Sequence, residues 1–344
     1  MRDTTRFREL DALRGIAALW VVLYHYLTRY DQIFHGTEPS LLDHFVFPNG
    51  LYAVYLFFMI SGFVIFMTLR HCNGAADFIT SRFSRLYPAY WAALAATTAI
   101  YFLAPLPYQD FSLGQILINT TMLQQYFLVE HVDGVYWSLT HELGFYAIML
   151  ALFLAGMIRR IETACWAWLA LAVTGTVATR YGVPMLYRVG MALDFSYAQY
   201  FIAGIVFYLA RHEGYTRNRV LLLAACLGAA ISADPYYDAI GVAFLFFIVF
   251  HLCITGRLRK LAASRVLHWL GAISYPLYLT HQMIGYRFIA SLLEHNVPAP
   301  VVIVAAIAGA LAFATLLSRT IERPAMRLIR QAYHRYAAAR IAAY

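Results

Sequence analysis

Runs of roughly 14 to 22 apolar residues recur from one end of this chain to the other, with few charges inside them. A helix needs about 20 such residues to cross the hydrocarbon core of a bilayer, where backbone polar groups have no water to bond. Runs of this length, repeated, specify an all-α, polytopic membrane protein. The 344 residues are 62% hydrophobic and 13% charged, too apolar for an ordinary soluble domain. No long polar stretch remains to build one, so residues 1–344 read as a single integral-membrane domain without an appended soluble domain.

The candidate spans are residues 12–28, 50–69, 86–103, 136–158, 163–179, 195–210, 220–233, 239–255, 272–293 and 301–317. Stretch 112–128 is ambiguous, because Gln115, Asn119, Gln124 and Gln125 are polar for a lipid-facing helix. Charge decides it. If 112–128 does not cross, Arg70, Arg82, Arg85, Arg159, Arg160, Arg211, Arg217, Arg219, Arg257, Arg259, Lys260 and Arg265 fall on the side of the basic N-terminus and tail. Asp31, Glu38, Asp43, Asp110, Glu130, Asp133, Asp234, Asp238 and Glu294 fall on the other. The positive-inside rule then favours about ten transmembrane helices, one re-entrant or interfacial helix at 112–128, and both termini cytoplasmic. The net charge of +8 is explained by these loops, without nucleic acid. The basic, then apolar N-terminus is an uncleaved first span. Residues 333–344 read as a short basic amphipathic helix at the inner surface. Cys72, Cys165, Cys226 and Cys253 are scattered, without metal-ligand spacing, as reduced structural thiols.

Ionisable residues within spans are costly and mark where chemistry belongs. The first span carries Arg14 and His25, eleven positions apart. At 3.6 residues per turn they share a face, about 16 Å apart along the axis, with His25 past mid-membrane toward the outside. On position alone His25 is equally an interfacial histidine between Tyr24 and Tyr26. YWSLTHELGFY (136–146) enters from the outer side; Ser138, Glu142 and Tyr146 share one face there, Trp137 and His141 a neighbouring one. Glu142 needs a histidine or arginine partner, unless it faces a water-filled vestibule. In SYPLYLTH (274–281), Ser274, Tyr278 and His281 follow one face, and packing alone also explains that histidine. SRFSRLYPAYW (81–91) sets Arg82 and Arg85 on one inner-side turn, where they suit a phosphorylated ligand or simply anchor the span. Together these residues suit a reaction across the membrane: an anionic donor at the inner arginines, and an outer hydroxyl activated by a histidine.

Six motifs run in order over residues 9–324: ELDALRGIAALWVVLYH, YLFFMISGFVI, FSRLYPAYW, YWSLTHELGFY, ISYPLYLTH and IERP. In them the chain resembles membrane-integral acyltransferase family 3, bacterial acyl-CoA-dependent O-acyltransferases of surface polysaccharides, lipid-linked glycans and small glycosides. His141 stands where that family more often has an apolar residue before its glutamate. The resemblance implies that His25 and Glu142 are catalytic, and that Arg82 and Arg85, with Arg14, hold the donor. Ser138, His141, Ser274, Tyr278 and His281 are then candidate contacts for the acceptor or the oxyanion. Neither a metal nor a permanently bound cofactor is expected; acyl-CoA, acetyl-CoA by default, is the donor substrate. The other expected partners are a carbohydrate or lipid-linked glycan acceptor and the lipid bilayer, and the expected location is the bacterial inner membrane.

In the implied reaction His25 takes the proton of the acceptor hydroxyl, since an imidazole's ordinary pKa of about 6.5 fits that task. Glu142 orients the ring or stabilises the imidazolium. Direct transfer and an acyl-histidine intermediate both stay open. A proton-coupled transporter of a glycan or organic anion would use the same groups as a relay, but the sequence lacks the repeated broken half-helices common in such folds. Loops 30–49, 112–133 and 181–194 are expected to shape the acceptor site.

Overall fold

The computed structural model describes residues 7–34, 47, 49–106, 110–180, 189–190, 193–194, 196–234 and 236–342. Most of loops 30–49 and 181–194 therefore lies outside the described residues. Among those described, every regular element is helical. In chain order the α-helices longer than five residues are α1 (Arg8–Tyr24), α2 (Ala53–Leu69), α3 (Ala75–Leu103), α4 (Leu113–Asn119), α5 (Trp137–Leu154), α6 (Ile161–Arg180), α7 (Ala198–Glu213), α8 (Arg217–Ala233), α9 (Tyr237–Ile254), α10 (Arg265–Thr280), α11 (Met283–Glu294), α12 (Ala299–Leu317) and α13 (Arg323–Ala342).

Seven helical stretches among the described residues are long and apolar enough to cross a bilayer: Arg8–Phe34, Gly50–Leu69, Ala75–Leu103, Gly134–Leu154, Met157–Ala178, Tyr237–Ile254 and Ala299–Ala339. The chain is a multi-pass membrane protein. Three of the ten expected spans are not among the seven. α7 and α8 are shorter, with 16 and 17 residues. Stretch 272–293 is not one helix: α10 ends at Thr280, His281 and Gln282 form a turn, and α11 restarts at Met283.

The described chain forms two compact units. One comprises Met1–Val21, Asn49–His71 and Ser138–Gly271; the other comprises Val22–Pro48, Cys72–Trp137 and Ala272–Tyr344. In the first unit α7 is the axis. Every residue from Ala198 to Ala210 is buried, as expected of a helix that is apolar on all sides. α2, α6, α8 and α9 pack on it. α2 comes closest, because Gly62 and Gly204 let the two backbones touch: a Cβ on Gly62 would strike the carbonyl of Phe201, and one on Gly204 that of Met59. Phe201 stacks on Phe145 with ring centres 4.2 Å apart and meets Phe58 at 4.7 Å, filling the layer beside that contact. Arg219, itself buried, is neutralised by Glu162 at 2.8 Å and Glu213 at 2.6 Å. Two carboxylates satisfy a charge that would otherwise be prohibitive there.

In the second unit α3 is flanked by α11, α13 and the π-helical turn Ser318–Glu322, and α11 also packs on α12. The tail residues expected to form a separate surface helix are instead the end of α13. Stretch 112–128 breaks into α4 and the 3-10 turn Gln124–Phe127, both too short to cross. Its polar residues have local tasks. Ser112 and Gln115 form a capping box at the start of α4. Asn119 Nδ2 donates to the carbonyls of Gln115 and Glu130, and its Oδ1 accepts from Val132 N–H. From α3, Tyr87, Tyr90 and Trp91 donate to the carbonyls of Thr121, Asn119 and Thr120. None of the four cysteines is in a disulfide.

Candidate active site

The second unit brings His25 and His281 together. α1 does not end as an α-helix: its last turn widens into the π-helical segment His25–Arg29, in which Tyr30 N–H bonds to the carbonyl of His25. Such single π turns are frequent at functional positions. His281 sits in the turn between α10 and α11, fully buried, with its Nε2 3.2 Å from His25 Nδ1 and the ring centres 4.8 Å apart. The protons can be assigned by elimination. His281 Nδ1 lies 2.9 Å from the carbonyl of Tyr278 and 3.1 Å from that of Leu277, and a carbonyl only accepts. In the neutral ring Nδ1 is therefore the donor and Nε2 the acceptor, so His25 Nδ1 must carry a hydrogen. The lone pair of His25 is left on Nε2.

The break that presents His281 is tied down on both sides. Tyr26 donates to the carbonyl of His281 at 2.8 Å, and Tyr278 to that of Val135 at 3.0 Å. Asp133, fully buried, accepts from Met283 N–H at 3.1 Å and from Val135 N–H at 3.2 Å. Burial pushes its carboxyl up to about 7, against the pull of those two donors. In the sequence Asp133 reads only as an outer-loop acid; its position just before the YWSL motif is the signal that was available.

Glu142 and His141 belong to the first unit. Glu142 is half-buried, and its Oε1 accepts from Ser61 at 2.7 Å and from Tyr146 at 2.6 Å, while Oε2 has no hydrogen bond among the described residues. The spacing of Glu142 and Tyr146 on one face predicts that neighbour; Ser61 arrives from α2 and is not predictable from α5. His141 is held differently. Its Nδ1 lies 2.7 Å from Oδ1 of the fully buried Asp194, and its ring packs at 4.8 Å on Tyr197. Burial raises the carboxyl of Asp194, and the His141 contact opposes that. Ser138 is buried on the same helix. Tyr197 also borders a cleft of about 510 Å³, lined further by Tyr55, Tyr200, Tyr236, Asp234 and Gln199. Tyr55 and Tyr200 stack there at 4.5 Å.

The arginines divide between the units. In the first, Arg14 lies 3.9 Å from Asp11, whose other oxygen is 4.0 Å from His268. In the second, Arg85 is paired with the buried Glu322, which also accepts from Ser318 at 2.6 Å. Arg82 donates to Ser81 Oγ at 2.9 Å. Arg330 of α13, which the sequence offers only as tail charge, donates to Ser84 Oγ at 3.2 Å and to the carbonyl of Ser81 at 3.5 Å. Three guanidinium charges thus meet on the 81–85 turn of α3, close enough to repel one another. Ser274 is buried, on α10, one turn before Tyr278.

Comparison with known proteins agrees with these motifs. The acyltransferase domain of acyltransferase family 3 matches residues 7–319. Acyltransferase MdmB of Streptomyces mycarofaciens is 26% identical over 363 residues, covering 94% of this chain and 92% of that protein. The exopolysaccharide production protein ExoZ of Rhizobium meliloti (strain 1021) is 24% identical over 318 residues, covering 86% of this chain and 95% of ExoZ. Protein 2 in the picA locus of Rhizobium radiobacter is 36% identical over 105 residues, 28% of this chain and 46% of that one. No solved structure matches significantly. The family match takes in His25, Arg82, Glu142 and His281 in a single span, so the chain belongs to acyltransferase family 3 and is a membrane acyltransferase.

Proposed function

We propose that this chain transfers an acyl group, acetyl by default, from cytoplasmic acyl-CoA to a hydroxyl of an extracytoplasmic carbohydrate or glycolipid, in the bacterial inner membrane. The observation that carries the proposal is the histidine pair. His281 accepts from His25 Nδ1 and so leaves the His25 lone pair on Nε2, the state a general base requires. The acceptor oxygen attacks the thioester carbon as its proton passes to Nε2. The carbonyl electron pair moves onto oxygen, and the charge gained by His25 is shared across the Nδ1–His281 hydrogen bond. Collapse of the tetrahedral species breaks the C–S bond, and the proton on His25 neutralises the departing thiolate.

Glu142 is the second catalytic group of the proposal. Two hydroxyls anchor one of its oxygens, which fixes the carboxylate. Coenzyme A carries several phosphate charges, and the guanidinium groups of Arg82 and Arg85 on one turn of α3, with Arg330 of α13 against it, have the chemistry to hold them. Arg85 begins from an ion pair with Glu322, which a donor phosphate would have to replace; Arg14, paired with Asp11, supports the first span. A saccharide acceptor suits the tyrosine-lined cleft, where ring faces, Asp234 and Gln199 offer stacking and hydrogen bonds. The exopolysaccharide production role in the name of ExoZ supports a glycan acceptor. Mass spectrometry of surface glycans from source cells with and without the gene tests the proposal: the gene adds an acyl mass, and His25→Ala removes it while the protein still inserts.

A further inference from the structure

Tyr286 of α11 is about as buried as a tyrosine can be, 1% exposed, and its hydroxyl has no hydrogen-bond partner among the described residues. A buried hydroxyl without a partner carries an uncompensated desolvation penalty, and native structures keep few such groups. Phenylalanine would fill the same space without that penalty. The Tyr286 ring lies beside the histidine pair, its centre 6.3 Å from that of His25. Tyr30 at 5.4 Å and Phe34 at 5.7 Å hold the ring from the side, so it is not placed to swing away. Gly285, the preceding residue, leaves room for the Tyr26 hydroxyl that holds His281; a Cβ there would strike it.

Three other donors around the pair are already engaged. Tyr26 donates to the carbonyl of His281, Tyr278 to that of Val135, and His281 Nδ1 to carbonyls of its own helix. Tyr278 and His281, which the sequence offers as oxyanion contacts, would have to break a bond to serve. Tyr286 would not. We propose that Tyr286 is a catalytic residue whose hydroxyl donates a hydrogen bond to the thioester oxygen as it becomes an oxyanion. The tyrosine keeps its proton throughout. As the acceptor oxygen bonds to the carbonyl carbon, the carbonyl pair moves onto the oxygen that faces the tyrosine. When that pair returns, the C–S bond breaks and His25 protonates the sulfur. The inference rests on the acyl-transfer reading, and it supplies the preorganised donor that such a step needs.

The test uses source cells deleted for the gene and complemented with wild type, Tyr286→Phe, Tyr278→Phe or His25→Ala at matched membrane levels. The readout is the initial rate at which the acyl mass appears on surface glycans after induction, together with the thermal midpoint of each purified protein. Tyr286→Phe is expected to slow acylation about 100-fold, the usual cost of one oxyanion donor, with a thermal midpoint equal to or above wild type. Tyr278→Phe, which loses a satisfied bond, is expected to lower the midpoint, as Tyr286→Phe does not. If Tyr286→Phe acylates at the wild-type rate while His25→Ala does not, the tyrosine proposal is overturned and the transfer reading stands. If His25→Ala also acylates normally, or wild type adds no acyl mass, the transfer reading itself falls, and the role of Tyr286 with it.

Discussion

Two buried histidines in this chain are each held through Nδ1, by opposite chemistries. His141 is held by a carboxylate, Asp194, at 2.7 Å. His25 is held by another imidazole, His281, at 3.2 Å. A carboxylate partner favours the imidazolium and makes a short, charge-assisted bond. An imidazole partner accepts a hydrogen from a neutral ring and brings no charge of its own. The surroundings differ in the same sense. His141 is wedged between Phe58 and Tyr197, and its contact with Asp194 links α5 to the segment before α7. His25 lies where α1 turns π-helical, opposite a helix break and with the Tyr286 ring centre 6.3 Å from its own. The carboxylate-held ring suits holding a fold together; the imidazole pair suits taking up a proton and giving it back.

Substitutions can break that contrast. The largest effect after loss of His25 itself is expected at Glu142. Glu142→Gln keeps the volume but removes the carboxylate and should slow transfer about 100-fold in a membrane assay, whereas Ser61→Ala, which removes one of the two anchoring hydroxyls, should cost less than about tenfold. Next comes His281→Phe, which takes away the acceptor for His25 Nδ1. Transfer is expected to fall roughly 10- to 100-fold and the acidic limb of the pH–rate profile to move, because the base is no longer held in one tautomer. Asp194→Ala should act on the other axis. It leaves a buried histidine nitrogen without its hydrogen-bond partner, a change that costs about 1–3 kcal/mol. The thermal midpoint should drop, while the rate per folded molecule stays within a few-fold of wild type.

The smallest expected effect is a pH dependence of stability. Asp133 titrates near 7 when folded, against an ordinary value of 3.8. Between those values the folded chain binds more of this proton than the unfolded chain, so the Asp133 contribution to stability falls as pH rises from about 4 to about 7 and is level above that. Thermal midpoints measured across this range should show the slope in wild type and a flatter profile in Asp133→Asn.

Much of the fold can be read from the chain because hydrophobic length is a direct physical requirement of a bilayer. The stretch 112–128 shows how far such inference reaches. Its polar residues argue against a lipid-facing span; Gln115 proves to cap α4 and Asn119 to satisfy two carbonyls, while Gln124 meets the His131 ring. The break at His281 is not legible. The sequence YLTHQMIGYRF places no glycine or proline at Thr280, His281 or Gln282, and a short polar step between apolar turns does not by itself mark the end of a helix. The tethers that hold the break, Asp133 and Tyr26, come from segments remote in sequence. Depth and spacing single out His25 and Glu142, but their neighbours are another matter. His281 stands 256 positions from His25, and Glu322 stands 237 from Arg85. Tyr286 was hidden for a different reason: its interest lies in a bond it does not make, which no local pattern encodes.

Acyl transfer by His25→Ala and His141→Ala, assayed side by side in membranes with equal amounts of inserted protein, bears on the two histidine pairs most directly. The proposed mechanism predicts that His25→Ala loses transfer by 100-fold or more, about the range for removing a general base. His141→Ala should insert less efficiently or melt earlier and still transfer at a substantial rate per molecule. Wild-type transfer by His25→Ala, or a dead but fully stable His141→Ala, would contradict it and move the base to the carboxylate-bound histidine.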